Sequence, residues 1–101
     1  MIINVSVDFS KYPGGRKVEH GPFSGEEFLE KILLPALSTQ GHITINMNGL
    51  AAISPSFLDE SIGSLIRKYG VKKFEEKVTI ILDDDLDTLE LLEYIKTNEN
   101  L

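Results

Sequence analysis

Two alternating periodicities predict a single α/β domain built on a mixed sheet of four strands, or five, with three helices. Residues 2–9, 42–47 and 78–82 carry strand-like patterns, and two helical patterns each begin at a serine. At 101 residues, the chain has room for one modest core.

In residues 2–9, Ile3, Val5, Val7 and Phe9 alternate with Asn4, Ser6 and Asp8, which predicts a half-buried first strand. Tyr12-Pro13-Gly14-Gly15 and Gly21-Pro22 turn the chain twice, leaving Arg16 to His20 as a short edge strand that gives the sheet antiparallel character. Ser24-Gly25-Glu26-Glu27 reads as a capping box. The helix that follows buries Phe28, Leu29, Ile32, Leu33, Ala36 and Leu37, and Pro35 should kink it or end its regular part. Residues 42–47 alternate again.

After Ser54 and Ser56, Leu58, Ile62, Leu65, Ile66 and Tyr69 recur at helical spacing, with Gly70 as a C-terminal cap. Residues 71–77 read as a polar connection with Phe74 tucked inward. The β-branched run Val78 to Leu82 predicts an interior strand covered on both faces. Asp83, Asp84 and Asp85 lead into a last helix carrying Leu86, Leu89, Leu92 and Ile95. Helices too few to cover the sheet would leave part of one face for a partner.

Ten basic side chains against sixteen acidic ones give a net charge of −6, which disfavours nucleic acid and anionic membranes as partners. Without cysteine there are no disulfides and no thiolate metal sites, and the N-terminal residues lack a secretion-signal pattern, so a cytoplasmic protein is expected.

The serine pair carries the most chemistry. A helix start has unpaired N–H groups, so Ser54 or Ser56 can cap it, or Ser56 can display a hydroxyl that accepts phosphate. Pro55 suits the first helical position and points to Ser54 as the cap, with the Ser56 hydroxyl freer. Asp59 and Glu60 share the same helix start and add to its field.

Other constellations carry less. His20 and His42 lack acids at metal-ligand spacing, and the aspartates at 83, 84, 85 and 87 lack the turn glycine and distal Glu of a calcium loop, so no metal and no cofactor are expected. Tyr12 to Arg16 reads as a hairpin turn, with Arg16 as a contact residue otherwise. Arg67, Lys68, Lys72, Lys73 and Lys77 form a basic cluster that is either solvated or a docking patch. Neither histidine stands beside a serine with an orienting acid, so an enzyme is not expected.

The strand end Asn46-Met47-Asn48-Gly49-Leu50, followed by Ile53-Ser54-Pro55-Ser56 and a helix with Leu58, resembles the phosphoacceptor region of STAS domains, the module of bacterial anti-sigma factor antagonists. On that resemblance Asn46 stands at an acidic position and Ser54 at an aspartate. Pro55 stands at a first serine, Ser56 at the serine that receives phosphate, and Phe57 at a glycine.

Gly15-Arg16, Gly21-Pro22-Phe23-Ser24-Gly25-Glu26-Glu27-Phe28, Leu34-Pro35-Ala36-Leu37 and Ser56-Phe57-Leu58-Asp59-Glu60-Ser61-Ile62-Gly63 are similar to the STAS-like family of unknown function, DUF4325, over about residues 14–66. This resemblance implies a STAS-like fold. It also implies a regulatory pairing with a histidine-kinase-type ATPase or an anti-sigma-type kinase, since family members are often encoded beside such ATPases.

The functional expectation is a non-catalytic signalling module. Ser56 is its candidate phosphoacceptor, and Arg16, Ser54, Pro55, Phe57, Asp59 and Glu60 are its partner-binding residues. The alternative is a constitutive homodimer or assembly subunit with no phospho-switch, held through an open sheet face or edge.

Overall fold

The computed structural model describes residues 1–51, 53–82 and 86–99, without the side chains of His20, Asp87, Asn98 and Glu99. The aspartates at 83, 84 and 85 lie outside the described residues.

Among the described residues the sheet has three strands in the order β1 (Ile2–Asn4), β2 (Ile43–Asn46) and β3 (Val78–Ile81), all parallel. Ile3, Ile45 and Ile80 stand in register across it, as do Asn4, Asn46 and Ile81. Among the described residues five helices of five residues or more accompany the sheet. They are a one-turn π-helix Val5–Phe9, α1 (25–39), α2 (55–69), α3 (Val71–Lys77) and α4 (Leu86–Glu99). The expected mixed sheet of four or five strands with three helices is therefore incorrect.

Each departure has a local cause. The strand expected over 2–9 stops at Asn4, where the Asp8 carboxylate accepts the Asn4 N–H at 2.8 Å, and the Ser10 N–H closes a wide turn onto the Val5 carbonyl. The Asn4 N–H faces away from β2, so this bond takes nothing from the ladder, and a short acidic side chain bonding nearby backbone in this way favours a turn over a continued strand. The turn swings Phe9 back onto Phe28 and Phe57 and leaves Val7 exposed.

Among the described residues Arg16 to His20 pairs with no strand. Val18–His20 is a short 3₁₀ turn, and the Val18 N–H is taken by the Glu26 carboxylate at 2.9 Å. The segment read as a polar connection is α3, in which Val71 and Phe74 lie three residues apart on one helix face and Phe74 is buried, as expected. Gly70, at φ 84°, ends α2 with its N–H on the Ile66 carbonyl and begins α3 with its own carbonyl accepting from Phe74. The run expected as an interior strand over Val78 to Leu82 is β3, Val78–Ile81, which among the described residues is an edge strand, and Thr79 is exposed.

Pro35 interrupts the regular part of α1, as expected, without ending the helix. The Leu34 N–H reaches back five residues to Leu29, and this widened turn carries the helix through to Thr39. The Ser24 hydroxyl accepts the Glu27 N–H at 3.1 Å as a capping box requires, while the Glu27 carboxylate accepts from Phe23 at 3.2 Å. Phe23 sits at φ +59°, an uncommon position for a bulky residue, and packs edge-on against Phe9.

The helices cover one sheet face. Ile3, Ile43, Ile45, Met47 and Val78 meet Phe28, Leu33, Phe57, Leu58, Ile62 and Phe74 in one core, in which each large side chain contributes roughly 1.5–3 kcal/mol of burial. The opposite face carries Ile2, Asn4, Thr44, Asn46, Thr79 and Ile81, all partly or fully exposed and none charged. There the Asn46 amide donates to Asn4 at 3.0 Å. No helix among the described residues is long and apolar enough to cross a membrane.

Candidate functional site

Strands that run parallel deliver their following helices to the same end of the sheet, so the starts of α1 and α2 lie side by side at its carboxyl end. Gly25 allows their close approach. A Cβ at that position would stand 2.6 Å from the Phe57 carbonyl oxygen and 3.0 Å from the Glu60 Cβ.

Residues 14–16 cross both helix starts as a strap. The Gly25 and Glu26 N–H groups donate to the Gly15 and Arg16 carbonyls at 2.8 and 2.9 Å. The Gly14 carbonyl accepts the Ser54 hydroxyl at 3.2 Å. Gly14 itself is packed so tightly that a Cβ would meet the Pro22 carbonyl at 2.4 Å.

Ser54 is the cap of α2. Its oxygen accepts the Phe57 N–H at 3.1 Å, its hydroxyl is spent on Gly14, and Pro55 occupies the first helical position, exposed. Ser56 is half-buried, and among the described residues its hydroxyl makes no hydrogen bond. Phe57 departs from its expected place on a contact surface. It is wholly buried and stacks on Phe28 at 5.5 Å between ring centroids, so it positions the helix and offers a visitor no surface.

Asp59 and Glu60 face the strap. Arg16 binds the Asp59 carboxylate and lies 3.9 Å from Glu60, which also takes Lys17. Asp59 holds a second guanidinium, with Arg67 at 3.0 Å from its carboxylate and 2.8 Å from its carbonyl. The hydrogen bond from Arg16, joined by that from Arg67, keeps the Asp59 carboxyl below the usual carboxylate range, although partial burial pushes the other way. The hydrogen bond to Glu60 raises the Lys17 ammonium above its ordinary value. Gly63 makes room for the Arg67 contact, since a Cβ there would crowd Asp59 Oδ1 and Arg67 Nη1 at 3.0 and 3.1 Å.

The structure thus brings together Arg16, Ser54, Pro55, Ser56, Asp59 and Glu60 from the expected set. Lys17, Arg67 and the crowded glycines Gly14, Gly25 and Gly63 belong to the same arrangement but had not been singled out for it. Arg67 lies eight residues after Asp59, a two-turn spacing on one helix face, and that was the available signal. The glycines are explained only by contacts distant in sequence. Of the two histidines, His42 has Nε2 3.0 Å from Thr79 Oγ1 on the open sheet face, and the His20 side chain lies outside the described residues. Among the described residues no group of three or more His, Cys, Asp or Glu is placed to hold a metal ion.

No curated protein and no solved structure matches the chain. A family model described as a STAS-like domain of unknown function matches residues 24–88, from the cap of α1 into α4. With that match spanning both helix starts and the two strands β2 and β3, the chain belongs to the STAS-like family of unknown function, DUF4325.

Proposed function

We propose that this STAS-like domain is a non-catalytic regulatory module that docks a partner protein through the start of α2, with Ser56 as a phosphoacceptor. One observation carries the reading. Ser54 performs the capping with both its acceptor and its donor engaged, whereas the Ser56 hydroxyl in the same first turn is bonded to nothing among the described residues.

A phosphoryl group there adds about −1.5 to −2 charges to a surface already bearing Asp59 and Glu60. An acidic or apolar partner patch is then repelled, and an arginine-bearing one is attracted. The partner class is a histidine-kinase-type ATPase or an anti-sigma-type kinase, in a signalling pathway.

Incubation of the chain with a histidine-kinase-type ATPase from the same cell and ATP should produce a phosphate mass shift on the peptide containing Ser56, and none in Ser56→Ala. If such a partner neither binds nor labels the wild type, the reading is wrong.

The uncharged open face of the sheet favours a second reading, a constitutive assembly subunit with no phospho-switch. Size measurement separates the two. An assembly subunit keeps its partners in Ser56→Glu, whereas a phospho-switch loses or exchanges them.

A further inference from the structure

We infer that Arg16 is the in-chain reader of a Ser56 phosphate: on phosphorylation its guanidinium transfers from Asp59 to the new phosphoryl group and pins the strap over the modified turn. The inference rests on the reading of Ser56 as a phosphoacceptor and specifies how that site is regulated.

The strap brackets Ser56. It touches α2 on the amino side at Ser54, through the Gly14 carbonyl, and on the carboxyl side at Asp59 and Glu60, through Arg16. Ser56 stands three and four residues before those carboxylates, with the Asp59 N–H shared between the Pro55 and Ser56 carbonyls where the helix passes into the wider π-type turn Asp59–Gly63, so the Ser56 and Asp59 Cβ atoms lie about 5–6 Å apart. The Arg16 side chain, bonded to the near end of that row, therefore needs a rotamer change and no backbone displacement to reach a phosphoryl oxygen.

Transfer leaves no stranded charge behind. Asp59 retains Arg67 on both its carboxylate and its carbonyl, and Glu60 retains Lys17. A carboxylate with a second guanidinium can release the first, whereas a phosphate dianion offers Arg16 a stronger, bidentate partner than the carboxylate it leaves. Without such a reader the phosphate would stand beside Asp59 and Glu60 while Arg67 and Lys17 hold those carboxylates, and like-charge repulsion would loosen the modified turn.

The test uses the full chain with phosphoserine installed at position 56 during synthesis, so it needs no kinase. Its failure is thus distinct from a failure of phosphorylation in the cell. The second ionisation of the phosphate, followed by phosphorus NMR, is the readout. A cation in contact favours the dianion and lowers this pKa, while neighbouring carboxylates raise it.

The expected result is a value lower by about one unit in the phosphorylated wild type than in its Arg16→Gln counterpart. Arg16→Lys should fall between, because lysine keeps the charge without the fork. Equal values in wild type and Arg16→Gln overturn the inference. Should Arg16→Gln fail to fold, the folded wild type is compared with the same phosphoprotein in urea. A pKa that falls on folding supports transfer, and one that rises shows that Asp59 and Glu60 dominate and refutes it.

Discussion

The Ser54 hydroxyl donates to the Gly14 carbonyl at 3.2 Å across forty residues of sequence, so the cap of α2 is also the anchor of the strap. Removing it should uncap α2 and release the strap together. Ser54→Ala is expected to lower stability by about 1–2 kcal/mol, at the upper end of cap losses. Urea denaturation of the two proteins measures this directly.

Ser56→Ala should behave differently, although it lies only two residues away. With no hydrogen bond to lose, its midpoint should stay within about 0.5 kcal/mol of wild type. A larger loss would mean that the hydroxyl has a structural duty.

Gly25→Ala is predicted to be among the most damaging small substitutions. The new Cβ would lie 2.6 Å from a backbone carbonyl oxygen, which cannot swing aside as a side chain would. A loss of about 1–3 kcal/mol is expected from overpacking, read as a lowered thermal midpoint. Gly41→Ala, with nothing near its Cβ position, is the matched control.

Stability should fall in acid through Asp59. Its carboxyl is held below the ordinary range in the folded state, so its contribution is complete above the unfolded value, about pH 4. That contribution disappears as pH drops through the depressed folded value. Asp59→Asn should flatten this limb of the stability profile, and added salt should shrink the difference because the pair is partly exposed. A wild-type profile with the same acid limb as Asp59→Asn would contradict the assignment.

Much of this molecule was readable in the chain, for reasons that differ from residue to residue. Ser24 and Ser54 were legible as caps because capping is set by residues within three positions of each other. Leu58, Ile62, Leu65 and Ile66 were legible because helical burial repeats locally. Residues 5–9 were misread because alternation says which side chains are apolar but not that Asp8 will take the Asn4 N–H and curl the chain. In 71–77 the inward Phe74 was legible and is buried, but the helix was not, because Val71 and Phe74 are only two apolar positions among lysines and glutamates and too few to mark a helical period. Arg16 was recognised as a contact residue, but its partner Asp59 lies forty-three positions away, and only the folded chain joins them.

The Asn4–Asp8 bond reaches beyond the turn that it makes. In β1 the Met1 carbonyl accepts from Thr44, so the groups of Ile2 and Asn4 point away from the sheet, towards the side where another chain would add a strand. One outward donor on this three-residue border is already spent on a carboxylate, and the chain then curls out of the sheet plane. Lateral growth into filaments is thereby discouraged at the side of the molecule that begins its fold. Copies crowded in a cell would meet a charged stop at that border, and two-sided ribbons of this domain should not extend through it.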